Sequence, residues 1–348
     1  MVLVMAGIMS TQCMGLAATN GSDYLIVDLT AGPSATNYPV SFLSNVPSGG
    51  WTDEYKTTKM VFRRIPAGTF TMGSPVDELG HESDEIQHQV TLTKSFYIGV
   101  FEVTQRQWER VMGTWPSYFN NASYRDARPV EQAMYDDIRG SIVGTNWPAS
   151  SDVDGNSYMG CLRARTGKAF DLPTESQWEY AGRAGTNTSL NSGKNLTALL
   201  SCPNMDEVGR YSYNGGAPYT QDGDTSVGSA KVGSYLSNAW GLYDMHGNAW
   251  ELCLDWMGAY PGTVSDPKGA LSGSGRVIRG GSWGAAHAYD CRIGNRYSYR
   301  PGPPGDINIG FRAALPEVSR FQMTVTSAMD GAVPSVGTNW FDVGSSML

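Results

Sequence analysis

Two stretches of this chain bring together residue types that could do chemistry. In Gly241-Leu-Tyr-Asp-Met-His-Gly-Asn-Ala-Trp-Glu251, Asp244 and Glu251 lie seven residues apart with Gly247 between them. Calcium takes six to eight hard oxygens, often carboxylates plus main-chain carbonyls from a sharply turning loop. Asp244 and Glu251 can supply the carboxylates, and a turn at Gly247 can aim the carbonyls of Gly247 and Ala249 at the same point. The plainer reading of this spacing is a polar turn capped by Asp244, with Glu251 in solvent.

The second stretch is Arg279-Gly-Gly-Ser-Trp283, followed by His287, Tyr289, Asp290, Cys291 and Arg292. Paired glycines allow the backbone to approach another element closely. Ser282 and Trp283 could then line a pocket, or the run could be a strand-end turn with a core tryptophan. Ser282, His287 and Asp290 have the residue types of a hydrolytic triad, but a triad is defined by geometry rather than by nearness in sequence. Asp290 beside Cys291 raises a thiol pKa instead of activating the sulfur, so Cys291 reads as buried or disulfide-bonded. A third stretch, Phe170–Gly185, has structural features only: Pro173 ahead of a cap, and Trp178 with Ala181 on one helical face.

The elements that must position these groups are short. Thr104 with Gln107, and Thr174 with Gln177, are capping boxes that start helices running to about Met112 and Ala184. A third helix spans 157–166, stopped by Gly167, and a fourth spans 136–143. Strands are expected at 24–29, 60–65, 88–93, 96–103, 276–279 and 309–314, with one more at 321–326. From Thr186 to Tyr235 almost no periodicity is visible. A loop that long inside a domain is functional or is pinned by something other than secondary structure. The expected organisation is a signal segment at 1–19, an N-terminal extension at 20–59, one α+β domain at 60–315 and a tail at 316–348.

Composition agrees with a loop-rich domain. The chain has 348 residues, and its 42 glycines are about 12% against a usual ~7%. Ten Trp and 18 Tyr supply rigid bulk to hold loops on a core. A net charge of −8 and the lack of any basic run exclude a nucleic-acid partner from the expectations. No apolar run reaches the length of a transmembrane span. The first 19 residues are apolar and end in small residues, as in an export signal, although the basic start of such a signal is missing. None of the four histidines has zinc-ligand spacing to a cysteine or to another histidine. If Cys13 leaves with the signal, four cysteines remain, and their pairing stays open.

Taken in order, the segments resemble the formylglycine-generating enzyme (sulfatase-modifying factor) family. The matching pieces are Ile65-Pro-Ala-Gly-Thr-Phe-Thr-Met-Gly73, Phe101-Glu-Val-Thr-Gln-Arg-Gln-Trp108, Arg128-Pro-Val130 and Asp171-Leu-Pro-Thr-Glu-Ser-Gln-Trp-Glu-Tyr-Ala181. They continue with Asn238–Glu251, Arg279–Trp283 and Asn308-Ile-Gly-Phe-Arg312. The resemblance implies a C-type-lectin-like fold, low in regular structure, with long loops often held by calcium. It implies calcium ligands at Asp244, Gly247, Ala249 and Glu251. A second family calcium site has Gly233 here in place of an acid, so no ion is expected there.

Family members that make formylglycine oxidise a cysteine in a Cys-x-Pro-x-Arg segment of a sulfatase, using oxygen and copper held by two cysteines after the Gly-Gly-Ser. Soft thiolates suit Cu(I) and are not casually replaced. Here those positions are Ala285 and Asp290, with Cys291 one residue off, so no copper site is expected. Trp250 and Ser282 match cleft positions and, with Trp283 and His287, are expected to line a groove. The resulting expectation is an exported, monomeric, non-oxidase module that binds a peptide or a glycan. Two alternatives stay open. One is a formylglycine-generating oxidase with an unrecognised use of Cys291. The other is a displayed variable binding protein, as in some phages and bacteria, with its variation in the loop 295–308.

Overall fold

The structure is a computed structural model. It describes residues 23–215, 226–300 and 305–316 in full, and the backbone of 320–325 and 337–342. The segment expected to be a signal, 1–19, lies outside the described residues. The chain divides into two units, Ser22–Glu317 and the two ends, Met1–Gly21 with Val318–Leu348. In the second unit β15 (Arg320–Val325) pairs antiparallel with β16 (Gly337–Asp342).

Along the first unit run β1 (Tyr24–Asp28), β2 (Val40–Leu43), α1 (Glu54–Thr57), β3 (Lys59–Ile65), β4 (Gly68–Met72), β5 (His88–Leu92) and β6 (Phe96–Gly99). Then come α2 (Gln105–Met112), α3 (Tyr135–Arg139), α4 (Tyr158–Thr166), α5 (Glu175–Arg183) and α6 (Pro203–Asp206). The remainder is β7 (Gly209–Arg210), β8 (His246–Gly247), β9 (Trp250–Trp256), β10 (Val264–Ser265), β11 (Arg276–Arg279), β12 (Arg296–Tyr299), β13 (Ile309–Gly310) and β14 (Ala314–Pro316).

The largest sheet is ordered β14-β6-β3-β1-β2, so the first and last parts of the unit meet in one sheet. This moves the expected domain start from residue 60 back to Ser22. Leu25 and Val27 are fully buried, and β1 takes hydrogen bonds from β2 on one side and β3 on the other. Residues 24–43 are therefore integral to the domain, not an extension of it. A second sheet, β12-β11-β9-β13, positions both chemical stretches, and β10-β5-β4 forms a third.

Both capping boxes form as expected. Thr104 Oγ1 accepts from the Gln107 amide at 3.3 Å, and Thr174 Oγ1 from the Gln177 amide at 3.2 Å. Each cap contributes about 1 kcal/mol. Helix 157–166 also forms, with Ser157 as cap and Gly167 in the left-handed conformation that ends it. The helix expected at 136–143 is shorter. It stops at Arg139, where Gly140 has φ +103°. The expected strand 309–314 is split into β13 and β14, with the buried Arg312 between the two halves.

The core is built on Ile26, Val61, Val90, Ile98, Trp178, Leu242, Met245 and Val277. The aperiodic stretch after Thr186 is pinned by a second apolar cluster, Leu190, Leu196, Cys202, Met205, Val208 and Tyr211, packed on Ala285, Ala288 and Cys291. Among the described residues no helix is long and apolar enough to cross a membrane.

Candidate functional site

The 244–251 loop turns tightly. Asp244, Gly247 and Asn248 all have positive φ, at 56°, 67° and 63°. Only glycine fits at 247, since a Cβ there would lie 1.9 Å from the Arg210 carbonyl oxygen. Asp244 Oδ2 accepts from the Gly233 amide at 2.6 Å, while Oδ1 is buried with no hydrogen-bond partner. Glu251 is not in solvent. It is fully buried, and Arg312 donates from Nε to Oε2 at 2.6 Å and from Nη2 to Oε1 at 2.5 Å. Trp178 Nε1 adds a third bond to Oε2 at 2.6 Å.

Glu102, between β6 and α2, holds the same loop. Its carboxylate accepts from the Ala249 amide at 2.8 Å and from Asn248 Nδ2 at 2.5 Å. Burial raises the Glu102 carboxyl well above the usual range, and the Asp244 and Glu251 charges push it further. Burial likewise lifts Asp244, to about 6, against the pull of the Gly233 amide and Arg312. Three acids thus share one interior region around a single bidentate guanidinium.

The unpartnered Asp244 Oδ1 fits a calcium ligand. Glu251 fits less readily, because two donors fill Oε2 and Arg312 already shares Oε1. Among the described residues no three His, Cys, Asp or Glu side chains form a metal-holding group, so an ion here would depend on carbonyls such as those of Gly247 and Ala249.

The Gly-Gly-Ser turn is anchored from below. Arg279 is fully buried and bonds Glu179 on α5, the Ile293 carbonyl at 2.8 Å and the Gly294 carbonyl at 3.2 Å. Gly280 and Gly281 have φ +92° and +78°. The close approach expected of the pair is present. A Cβ on Gly281 would sit 2.4 Å from Cys291 Sγ, and one on Gly280 would sit 3.0 Å from the Trp178 ring.

Cys291 is therefore sealed under the turn, and burial, with Asp290 adding to it, pushes its thiol well up. Among the described residues Cys161, Cys202, Cys253 and Cys291 are all free thiols. Ala285 is packed in the second apolar cluster, and Asp290 pairs with His287 at 3.3 Å. Ser282 Oγ instead meets Asn308 Nδ2 at 3.4 Å, so no triad assembles.

The residues expected to line a groove separate into three groups. Ser282 and Trp283 are fully buried and back the face rather than line it. Trp283 packs edge-on against Phe119 with centroids 5.0 Å apart. Trp250 is half-buried and lies beside Tyr297, which is 63% exposed. Asn308 links the two layers, since its carbonyl accepts from the Trp250 amide at 2.9 Å. His287 stands apart, stacked on Tyr289 at 4.7 Å. The half-open surface is thus Trp250, Tyr297 and Asn308.

Sequence reasoning did not single out Tyr297, Glu102, Arg312 or His246. His246 ties the long loop to the turn: Nδ1 donates to the Cys291 carbonyl at 2.6 Å, and Nε2 accepts from the Asn191 amide at 3.0 Å. Burial depresses its pKa to about 4 and keeps it neutral.

Residues 51–316 match the model of the sulfatase-modifying factor enzyme 1-like domain. The formylglycine-generating enzyme of Bos taurus is 27% identical over 290 residues, covering 74% of this chain and 74% of that protein. Among solved structures, Treponema denticola variable protein 1 superposes with a TM-score of 0.57 at 28% identity, covering 75% of this chain and 96% of its own. PvdO from Pseudomonas aeruginosa superposes with a TM-score of 0.57 at 25% identity, covering 74% and 94%. The chain belongs to the sulfatase-modifying factor enzyme 1-like family.

Proposed function

We propose that this member is a ligand-binding module that does not perform the oxidase chemistry of formylglycine-generating enzymes. One observation carries the reading. Where the resemblance places two copper-holding thiols, the chain has Ala285 in an apolar cluster and Asp290 paired with His287. The adjacent thiol, Cys291, is fully buried, and burial pushes its pKa up and disfavours the thiolate. A protonated thiol is a poor Cu(I) ligand. What remains is the half-open Trp250, Tyr297 and Asn308 surface on a rigid sheet. An exposed and a half-buried aromatic ring with an amide beside them suit a peptide or a glycan.

The test is incubation with a Cys-x-Pro-x-Arg peptide, Cu(I) and oxygen, read by mass spectrometry. No conversion of cysteine to aldehyde is expected, and robust conversion would refute the reading. In a parallel binding screen, Tyr297→Ala should weaken any peptide or glycan that binds.

The likeness to Treponema denticola variable protein 1 favours a second reading, a displayed variable binder with its variation in 295–308. Sibling chains differing only across that segment would support it. The reading also includes calcium on Asp244 with the Gly247 and Ala249 carbonyls and Glu251, supported by the unpartnered Asp244 Oδ1. There the ion would brace the loop by neutralising buried acid. Export rests on the apolar 1–19 segment, and cell fractionation tests it. The monomeric state is tested by light scattering.

A further inference from the structure

Trp250 and Trp256 lie six residue steps apart along β9, about 20 Å of strand. At the Trp256 end a cavity of about 370 Å³ opens, away from the surface discussed above. That volume lies at the small end of ligand pockets. Asp255 and the first turn of α5, with Glu175, form its polar wall, while Val264, Tyr260 and Leu271 are among its apolar lining.

Asp255 is 2% exposed. Its Oδ2 accepts from the Glu175 amide at 2.9 Å, and Oδ1 has no partner among the described residues. No described cation pairs with it. Arg296 spends Nε and Nη2 on Glu175, both at 2.7 Å, and Nη1 on the Gly258 carbonyl at 2.8 Å. Arg276 bonds the Leu254 and Thr145 carbonyls and lies 3.4 Å from the Trp256 centroid. Lys268 Nζ lies over Trp147, His88 Nδ1 contacts the Ile86 carbonyl, and the Tyr260 hydroxyl bonds Glu175.

Gly269, at φ +74°, keeps the approach open, because a Cβ there would lie 2.9 Å from Asp255 Oδ1. A buried carboxyl on a cavity wall thus lacks a cationic donor, and the adjoining wall is apolar.

We propose that this cavity binds a small primary amine on a short alkyl or aryl-alkyl chain, with its ammonium on Asp255 and its chain against Val264 and Leu271. A carboxylate hydrogen-bonded to an ammonium in a dry pocket is a strong, charge-assisted contact. Burial and the Glu175 charge raise Asp255 to about 8, so at pH 7 the carboxyl starts protonated. Amine binding ionises it: the ligand enters as the ammonium, and the Asp255 proton leaves to solvent.

The test is calorimetry with hexylamine, hexanol and hexanoate at pH 7, repeated in two buffers of different ionisation enthalpy. Hexylamine should bind at least about tenfold more tightly than the other two, a gap of about 1.4 kcal/mol. Nearly one proton should be released per amine bound. Asp255→Asn should abolish the preference for the amine. Leu271 is 88% exposed on the rim. Leu271→Lys should therefore leave folding intact and weaken the amine more than the alcohol, because both lose an apolar contact and only the amine is also repelled. No amine binding, equal binding of amine and alcohol, or an amine preference that survives both substitutions would overturn the proposal. If Asp255→Asn does not fold, the Leu271→Lys comparison and the proton count decide it.

Discussion

Arg312 closes a two-point grip on Glu251, with both side chains fully out of solvent and the Trp178 indole as a third donor. The same guanidinium also donates from Nη1 to the Gly99 carbonyl at 2.9 Å and from Nη2 to the Tyr243 carbonyl at 3.0 Å. One side chain therefore fastens β6, the 243–248 loop and β9 together. Removing one partner of a buried pair leaves an uncompensated charge, a larger loss than the pair's net worth.

Arg312→Met should therefore cost about 3–5 kcal/mol of stability. The double variant Arg312→Met with Glu251→Gln should recover part of it, because no bare carboxylate then remains. Denaturant melts of the wild type and of the two variants check this. Equal losses in the single and double variants would mean that charge compensation is not the cause.

The loop beside this pair tests the calcium reading. An ion that binds only the native state raises the melting temperature. A chelator should lower it, calcium should restore it, and Asp244→Ala should be indifferent to both. A wild type that ignores chelator would leave Glu251 and Arg312 as a pair complete without metal.

His246 gives a pH dependence of known sign. Its folded pKa is depressed to about 4 from 6.5, so between those values the unfolded chain binds the extra proton. This contribution is fully present above pH 6.5 and is lost as pH falls toward 4, by about 3 kcal/mol at most. Buried acids such as Glu131, raised to about 7 by burial, act in the opposite direction over an overlapping range. The measurement is therefore a difference. The stability of wild type minus that of His246→Gln should shrink from pH 7 to pH 4, and a flat difference would exclude this role.

Thiol labelling tests the seal under the Gly-Gly-Ser turn. Cys202, Cys253 and Cys291 are buried and Cys161 is part-exposed. In the native protein Cys161 should react first, with Cys291 labelled only on unfolding. Gly281→Ala should destabilise the fold, since its Cβ would press on Cys291 and φ +78° is unfavourable for alanine.

What could be read from sequence was local. The capping boxes at Thr104 and Thr174, and the Gly167 stop, depend on neighbours within four residues, and all three form. Strand β9 could not be read this way. Its sequence places Glu251 and Asp255 in the interior, so it shows no alternation of apolar and polar residues. Those acids are tolerated because Arg312 and the Glu175 amide reach them from distant parts of the chain. The N-terminal strand was legible as a strand, but its place between β2 and β3 depends on long-range pairing. Ser282 and Trp283 have types that suit a cleft lining, and only packing against Asn308 and Phe119 puts them beneath the surface. The Asp255 cavity is a tertiary feature with no local signal.

The reading proposed for this protein is a family scaffold without its copper clasp. A Cu(I) titration against a competing chelator, with X-ray absorption on the loaded protein, tests it most directly. No tight Cu(I) binding and no pair of sulfur neighbours around the metal are expected. Stoichiometric Cu(I) held by two sulfurs in wild type, and lost in Cys291→Ala, would contradict it.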